Sequence, residues 1–132
     1  MYIKNAPLLP PAQERIVTLC LDCAFEVHKR LGPGFKEHIY MRAYQLELNL
    51  RRILFEAEKE LIVRYKEWTL PGQRVDLIVE QTVIVEIKSV RRLTQLHAAQ
   101  VISYLRAADL RVGLLLNFNE TRLKNGLRRV VL

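Results

Sequence analysis

Three charged residues fall inside apolar runs where charge is costly to keep. Asp76 lies in the run Val75–Val79, and Glu86 and Lys88 lie in Val83–Val90, which reads V-I-V-E-I-K-S-V. A run this apolar is expected to be a strand covered on both faces. Residues two apart on a strand share a face, so Glu86 and Lys88 stand side by side. Burying an ion costs several kcal/mol unless it is paired or liganded. A turn at Gln81-Thr82 folds the two runs into an antiparallel hairpin and brings Asp76 toward Glu86. Two carboxylates suit a hard cation such as Mg²⁺ or Mn²⁺, with the Ile87 carbonyl as a further oxygen ligand. A cation held there polarises a phosphoryl oxygen and acidifies a water that can attack phosphorus. Lys88 would orient that water or stabilise charge in the transition state. The competing reading is a structural salt bridge from Lys88 to Asp76 or Glu86.

Other residues can serve the same chemistry. Gln100 and Tyr104 are four apart on an expected helix and share a face, with His97 one turn earlier. The plainer reading is an ordinary boundary stripe. Glu37 opens another expected helix, where an acidic residue favours the first turn; its functional reading is a third carboxylate brought over the strand pair.

The elements that position these residues follow from spacing and breakers. Pro10 and Pro11 suit a helix start, and the helix runs to about Arg30, before Gly32-Pro33-Gly34. A second helix is expected near Lys36–Arg51, with Ile39, Ala43, Leu46 and Leu50 as its core stripe and Glu37, Tyr40, Tyr44 and Glu47 on another face. Ile53–Lys59 reads as a polar-leaning transition, Leu61–Tyr65 as a strand, and Lys66–Gly72 as a turn or wide hairpin loop. Thr94 is a good N-cap for a helix from Gln95 to about Ala108. Val112–Phe118 reads as a buried strand, parallel to the central one because a helix makes the crossover. Asn119–Gly126 reads as a polar loop, and Leu127–Leu132 as a last edge strand. The order αα-βββ-α-β(β) predicts an α/β fold of the α+β kind, with helices packed on a central mixed sheet. Residues 1–11 form an N-terminal extension and residues 12–132 a single domain.

The 132 residues suffice for one core. No apolar run is long enough to span a bilayer, and Met1–Pro11 lacks the pattern of a signal peptide, so a cytoplasmic protein is expected. The net charge of +7 favours a polyanionic partner. Arg91 and Arg92 follow the charged strand directly, and Arg106, Arg111, Arg122, Lys124, Arg128 and Arg129 crowd the last third. Such residues give phosphate contacts without sequence readout; a solvated basic face is the alternative. Cys20 and Cys23 form a lone C-x-x-C on the apolar stripe of the first helix, where they read as small hydrophobes rather than a redox or zinc pair.

Asp76, Glu86-x-Lys88 and Gln100-x-x-x-Tyr104 together resemble the PD-(D/E)XK nuclease superfamily in its RecB-like form. More closely, Gly34-Phe35-Lys36-Glu37-His38-Ile39-Tyr40 is similar to the signature of the small GxxExxY family, and the likeness continues through Leu31-Gly32-Pro33-Gly34, Arg74-Val75-Asp76, His97-Ala98-Ala99-Gln100 and Gly113–Phe118. The resemblance implies a restriction-endonuclease-like core, metal ligands at Asp76 and Glu86, a catalytic Lys88, and support from Glu37, Gln100 and Tyr104. It implies a metal-dependent nuclease acting on nucleic acid, DNA first, with little sequence specificity. Arg91, Arg92 and Arg106 are the expected nucleic-acid contacts. A non-catalytic module holding nucleic acid or a protein on the same fold is the alternative, and a purely structural protein the third reading. At this size a second copy or a partner protein is expected to complete the cleft, and the exposed edges Leu61–Tyr65 or Leu127–Leu132 offer a homodimer its contact.

Overall fold

The computed structural model describes residues 9–132. Most of the expected N-terminal extension, residues 1–8, lies outside them. Leu9 is buried in the core. Helix α1 spans Pro11–Leu31 and α2 spans Glu37–Leu50. Three strands follow, β1 (Phe55–Tyr65), β2 (Trp68–Val79) and β3 (Val83–Lys88). Then come α3 (Gln95–Ala108), β4 (Val112–Asn117), a short 3-10 turn at Leu123–Gly126, and β5 (Leu127–Val131). The five strands form one sheet in the order β1-β2-β3-β4-β5, antiparallel except for the parallel pair β3–β4. This is a restriction-endonuclease-like arrangement. No described helix is long and apolar enough to cross a membrane.

Each face of the sheet carries its own core. Val83, Val85 and Ile87 of β3 pack with α1 and α2, while Ile84 packs with Val101, Tyr104 and Leu105 of α3. The alternation expected of β3 therefore holds, and it turns Glu86 and Lys88 toward the α3 side. Cys20 and Cys23 are wholly buried on the α1/α2 side. Burial pushes their thiols up to about 12 and about 11.

Helix α2 buries a different stripe from the expected one. Tyr40, Tyr44 and Leu48 are buried, whereas Ile39, Leu46 and Leu50 are exposed. A tyrosine can enter a core when its hydroxyl finds a partner. Tyr44 Oη donates to the Cys20 carbonyl at 2.8 Å, and Tyr40 Oη donates to the Gly32 carbonyl at 2.5 Å.

The β1–β2 hairpin is also longer than expected. The stretch Ile53–Lys59 is not a transition: β1 begins at Phe55 and pairs with β2 out to Tyr65↔Trp68. The turn is only Lys66-Glu67, with Lys66 in the left-handed region at φ 54°. Pro71-Gly72 does not end the strand. The register passes from Leu61↔Gln73 to Val63↔Leu70, so Pro71 and Gly72 together oppose Ile62 in a bulge. Bulges are where a strand tolerates proline and a left-handed glycine. The outer hairpin is solvated on both faces, which blurs the alternation that would reveal it.

Helix α3 is capped as expected. The Thr94 hydroxyl accepts from the His97 N–H, and the Thr94 N–H donates back to His97 Nδ1 at 3.0 Å. The helix crosses the sheet at Gly113, where a Cβ would stand 2.6 Å from Val101 Cγ1. A stiff valine cannot swing aside, so Gly113→Ala should lift α3 from the sheet. The expected loss is about 1–3 kcal/mol, read as a lower urea midpoint with an unchanged slope.

Candidate active site

The regular β2–β3 pairing runs from Val79↔Val83 to Leu77↔Val85 and stops. Asp76 and Glu86 occupy the next positions, where the strands separate. Each carboxylate there takes a backbone donor from the other strand. The Asp76 N–H donates to Glu86 Oε1 at 2.8 Å, and the Ile87 N–H donates to Asp76 Oδ2 at 2.8 Å. Buried backbone N–H groups need acceptors, so the fork is held by the two side chains expected to do chemistry.

β2 also changes face at this point. Leu77 packs in the α1/α2 core, whereas Val75, two residues earlier, packs in the α3 core. β1 follows it: Glu58 falls between Ala57↔Leu77 and Lys59↔Val75, opposite Asp76, in the left-handed region at φ 50°. A non-glycine residue in that region is held there by its surroundings at a cost of about 1–2 kcal/mol.

The electrostatics of the fork follow from its burial. Glu86 is only 4% exposed. Desolvation, and then the Asp76 charge, push its carboxyl up to about 8. Desolvation likewise raises Asp76 above the ordinary range, opposed by the Ile87 N–H and the Lys88 charge. Lys88 is half-buried and makes no ion pair among the described residues, so the expected salt-bridge alternative is not what the structure contains. Two desolvated carboxylates share one nearby cation, and they fit a divalent ion in charge and in donor type. No group of three or more His, Cys, Asp or Glu that could hold a metal ion occurs among the described residues. Mg²⁺ commonly takes one or two carboxylates and completes its shell with water and substrate phosphate, so an open pair is compatible with it.

Tyr104 borders the fork from α3. Its hydroxyl accepts from Gln73 Nε2 at 2.8 Å. Burial, and then the charges of Glu86 and Asp76, push the phenol up to about 12, while Gln100 and Gln73 act to lower it. Gln100 and Tyr104 thus share a face as expected, and the phenol stays a neutral hydroxyl. His97 is occupied by the helix cap.

Glu37 is exposed on the first turn of α2, with no hydrogen bond or ion pair to Asp76, Glu86 or Lys88. The start of α2 is nonetheless tied to the exit of β3, because Ser89 Oγ donates to the Phe35 carbonyl at 2.6 Å. Tyr40 closes this loop: it accepts from the Phe35 N–H at 3.1 Å and stacks on Phe118 with ring centroids 4.8 Å apart.

Arg91, Arg92 and Arg106 are exposed and without partners among the described residues. The expected crowding of basic residues in the last third does not form one face. Arg128 and Arg129 are successive residues of β5 and point to opposite faces, and Arg129 pairs with Glu14 of α1. Arg111 Nε donates to the Leu132 carbonyl at 3.3 Å.

Sequence reasoning missed three residues. Glu58 lies in the stretch expected to be a transition and Gln73 falls between the expected loop and the run Val75–Val79, although their alternation with Ala57 and Arg74 on a longer hairpin would have placed them beside Asp76. Asn117 is wholly buried in register with Lys88. Its amide clamps Val90, accepting from the N–H at 3.0 Å and donating to the carbonyl at 2.9 Å. A buried amide ending the apolar run Gly113–Leu116 was the available signal.

With a chelator present, stability should fall as pH rises from about 5 to 8. Above the ordinary value of 4.5 the unfolded chain has released the Glu86 proton, while the folded chain keeps it to about 8. The native state then binds more protons, and the slope is negative. Thermal midpoints across this window should be flatter in Glu86→Gln.

Comparison with protein families gives a match over residues 14–130 to a family described as the PD-(D/E)XK nuclease superfamily. No curated protein and no solved structure gives a match.

Proposed function

Because the chain belongs to the PD-(D/E)XK nuclease superfamily, we propose that it is a Mg²⁺- or Mn²⁺-dependent nuclease hydrolysing phosphodiester bonds, of DNA first, with little sequence preference of its own. The carrying observation is the fork itself, where Asp76 and Glu86 are fixed through each other's strand with Lys88 unpaired beside them. The G-x-x-E-x-x-Y signature at Gly34–Tyr40 supports placement in the GxxExxY family.

In this reading Asp76, Glu86 and the Ile87 carbonyl hold the cation, which supplies Lewis acidity toward the phosphate when bound. Lys88 donates to the attacking water or to the phosphoryl oxygen that gains charge. Tyr104, neutral and tied to Gln73, donates a hydrogen bond at the cleft wall, and Gln100 orients it. Glu37 acts from the first turn of α2, which follows the loop fastened by Ser89 and Tyr40. Arg91, Arg92 and Arg106 contact phosphates, so affinity should fall steeply with salt. A non-catalytic binding module is the second reading, favoured by the exposed position of Glu37 away from the fork.

The test is cleavage of labelled single-stranded, double-stranded and branched DNA and RNA in Mn²⁺. Lys88→Ala should lower the rate by about 10²- to 10⁴-fold. Asp76→Asn keeps an acceptor for the Ile87 N–H and removes the charge, so it should be inactive yet at least as stable as wild type in chelator. Undiminished cleavage by either variant would overturn the assignment. Salt-sensitive binding without cleavage by the wild type would favour the binding module.

A further inference from the structure

Among the described residues β1 is an edge of the sheet: it pairs with β2 on one side only. It is the longer of the two edges, with 11 residues against 5 in β5. Long edges are commonly blunted by proline, bulges or charge. Here the proline and the bulge lie on β2, on the inner side. The stretch from Lys59 to Tyr65 keeps a continuous outer edge, ended at one side by left-handed Glu58 and at the other by left-handed Lys66.

The side chains on this edge are self-complementary. Leu61 is buried toward α3, while its neighbours Glu60 and Ile62, and then Arg64, are exposed on the opposite face. Ile62 is 58% exposed. The Arg64 side chain has no hydrogen-bond or ion-pair partner among the described residues. Among the described residues the Glu60 carboxylate accepts only from the Gly72 N–H, at 3.2 Å, which leaves it with acceptor capacity.

We propose that two copies of this chain dimerise by antiparallel pairing of their β1 edges about a two-fold axis at Ile62. In that register Ile62 meets Ile62, and Glu60 of each copy meets Arg64 of the other. Residues directly opposite on antiparallel strands share a face and interact as pairs, so one isologous contact satisfies both charges and covers both isoleucines. Other registers are worse. Moving the axis by one residue sets Ile62 against Glu60 or Arg64, and moving it by two sets Glu60 on Glu60 or Arg64 on Arg64. β5 lacks this property, since its charges, the half-buried Arg128 and Arg129, have one sign and Arg129 pairs with Glu14 of α1. The result is a continuous ten-stranded sheet with both α3 helices, and hence both carboxylate forks, on the same side. The inference does not depend on the nuclease reading.

Sedimentation equilibrium on the full chain tests it. The wild type should be a dimer, and Ile62→Lys, Glu60→Arg and Arg64→Glu each monomeric, since each places like charges in apposition. An equimolar mixture of Glu60→Arg with Arg64→Glu should regain the dimer, because every opposed pair is then of unlike sign. Recovery on mixing also shows that the single variants fold. A wild type monomeric at its highest soluble concentration would overturn the proposal. So would a dimer that all three substitutions leave intact, or a mixture that stays monomeric.

Discussion

The arrangement rests on a reciprocal exchange at one point of the sheet. Where β2 and β3 part, backbone N–H groups lose their ladder partners, and Asp76 and Glu86 take their place. The same bonds that keep the backbone satisfied hold two carboxylates in a nearly dry place. Each feature entails the other: without the divergence the carboxylates would have no donors, and without the carboxylates the divergence would leave orphaned N–H groups. A bond to an ionised carboxylate is stronger than a neutral one, so the fork can be both a structural joint and, once the Glu86 proton is released, a site of negative charge.

Everything around the fork either opens it or keeps it dry. Glu58 lets β1 turn over beside Asp76, and the pair of strands shifts its side chains from the α1/α2 core to the α3 core at that point. Gly113 lets α3 lie close against β3 and β4, which brings Tyr104 over the carboxylates. Asn117 and Ser89 fix the chain after Lys88 from two sides. The tyrosine of the Gly34–Tyr40 stretch works at a distance, pinning the loop that leads into α2 by hydrogen bonds to Gly32 and Phe35.

Much of this was legible in the sequence, for identifiable reasons. β3 and β4 are covered on both faces and read as apolar runs, so the charges on β3 stood out, and the helix between the two strands indicated their parallel pairing. Helix α3 announced itself through Thr94. The β1–β2 hairpin did not, because a two-sided exposed strand has no alternation and Pro71-Gly72 imitates its end. The stripe of α2 was misplaced because tyrosine is ambiguous until its hydroxyl partners are known; Tyr44 finds its own on α1, 24 residues away. Glu37 is exposed on the first turn of α2, and the tyrosine three residues on is the one that packs in the α1/α2 core.

Calorimetric titration of Mn²⁺ into the wild type and into Glu86→Gln, at pH 7, tests the central claim most directly. The account predicts saturable binding by the wild type with release of a proton, since burial and Asp76 keep Glu86 protonated up to about 8, and loss of both signals in the variant. Binding of equal strength in the variant, or no binding by the wild type, would contradict the reading of this fork as a cation site.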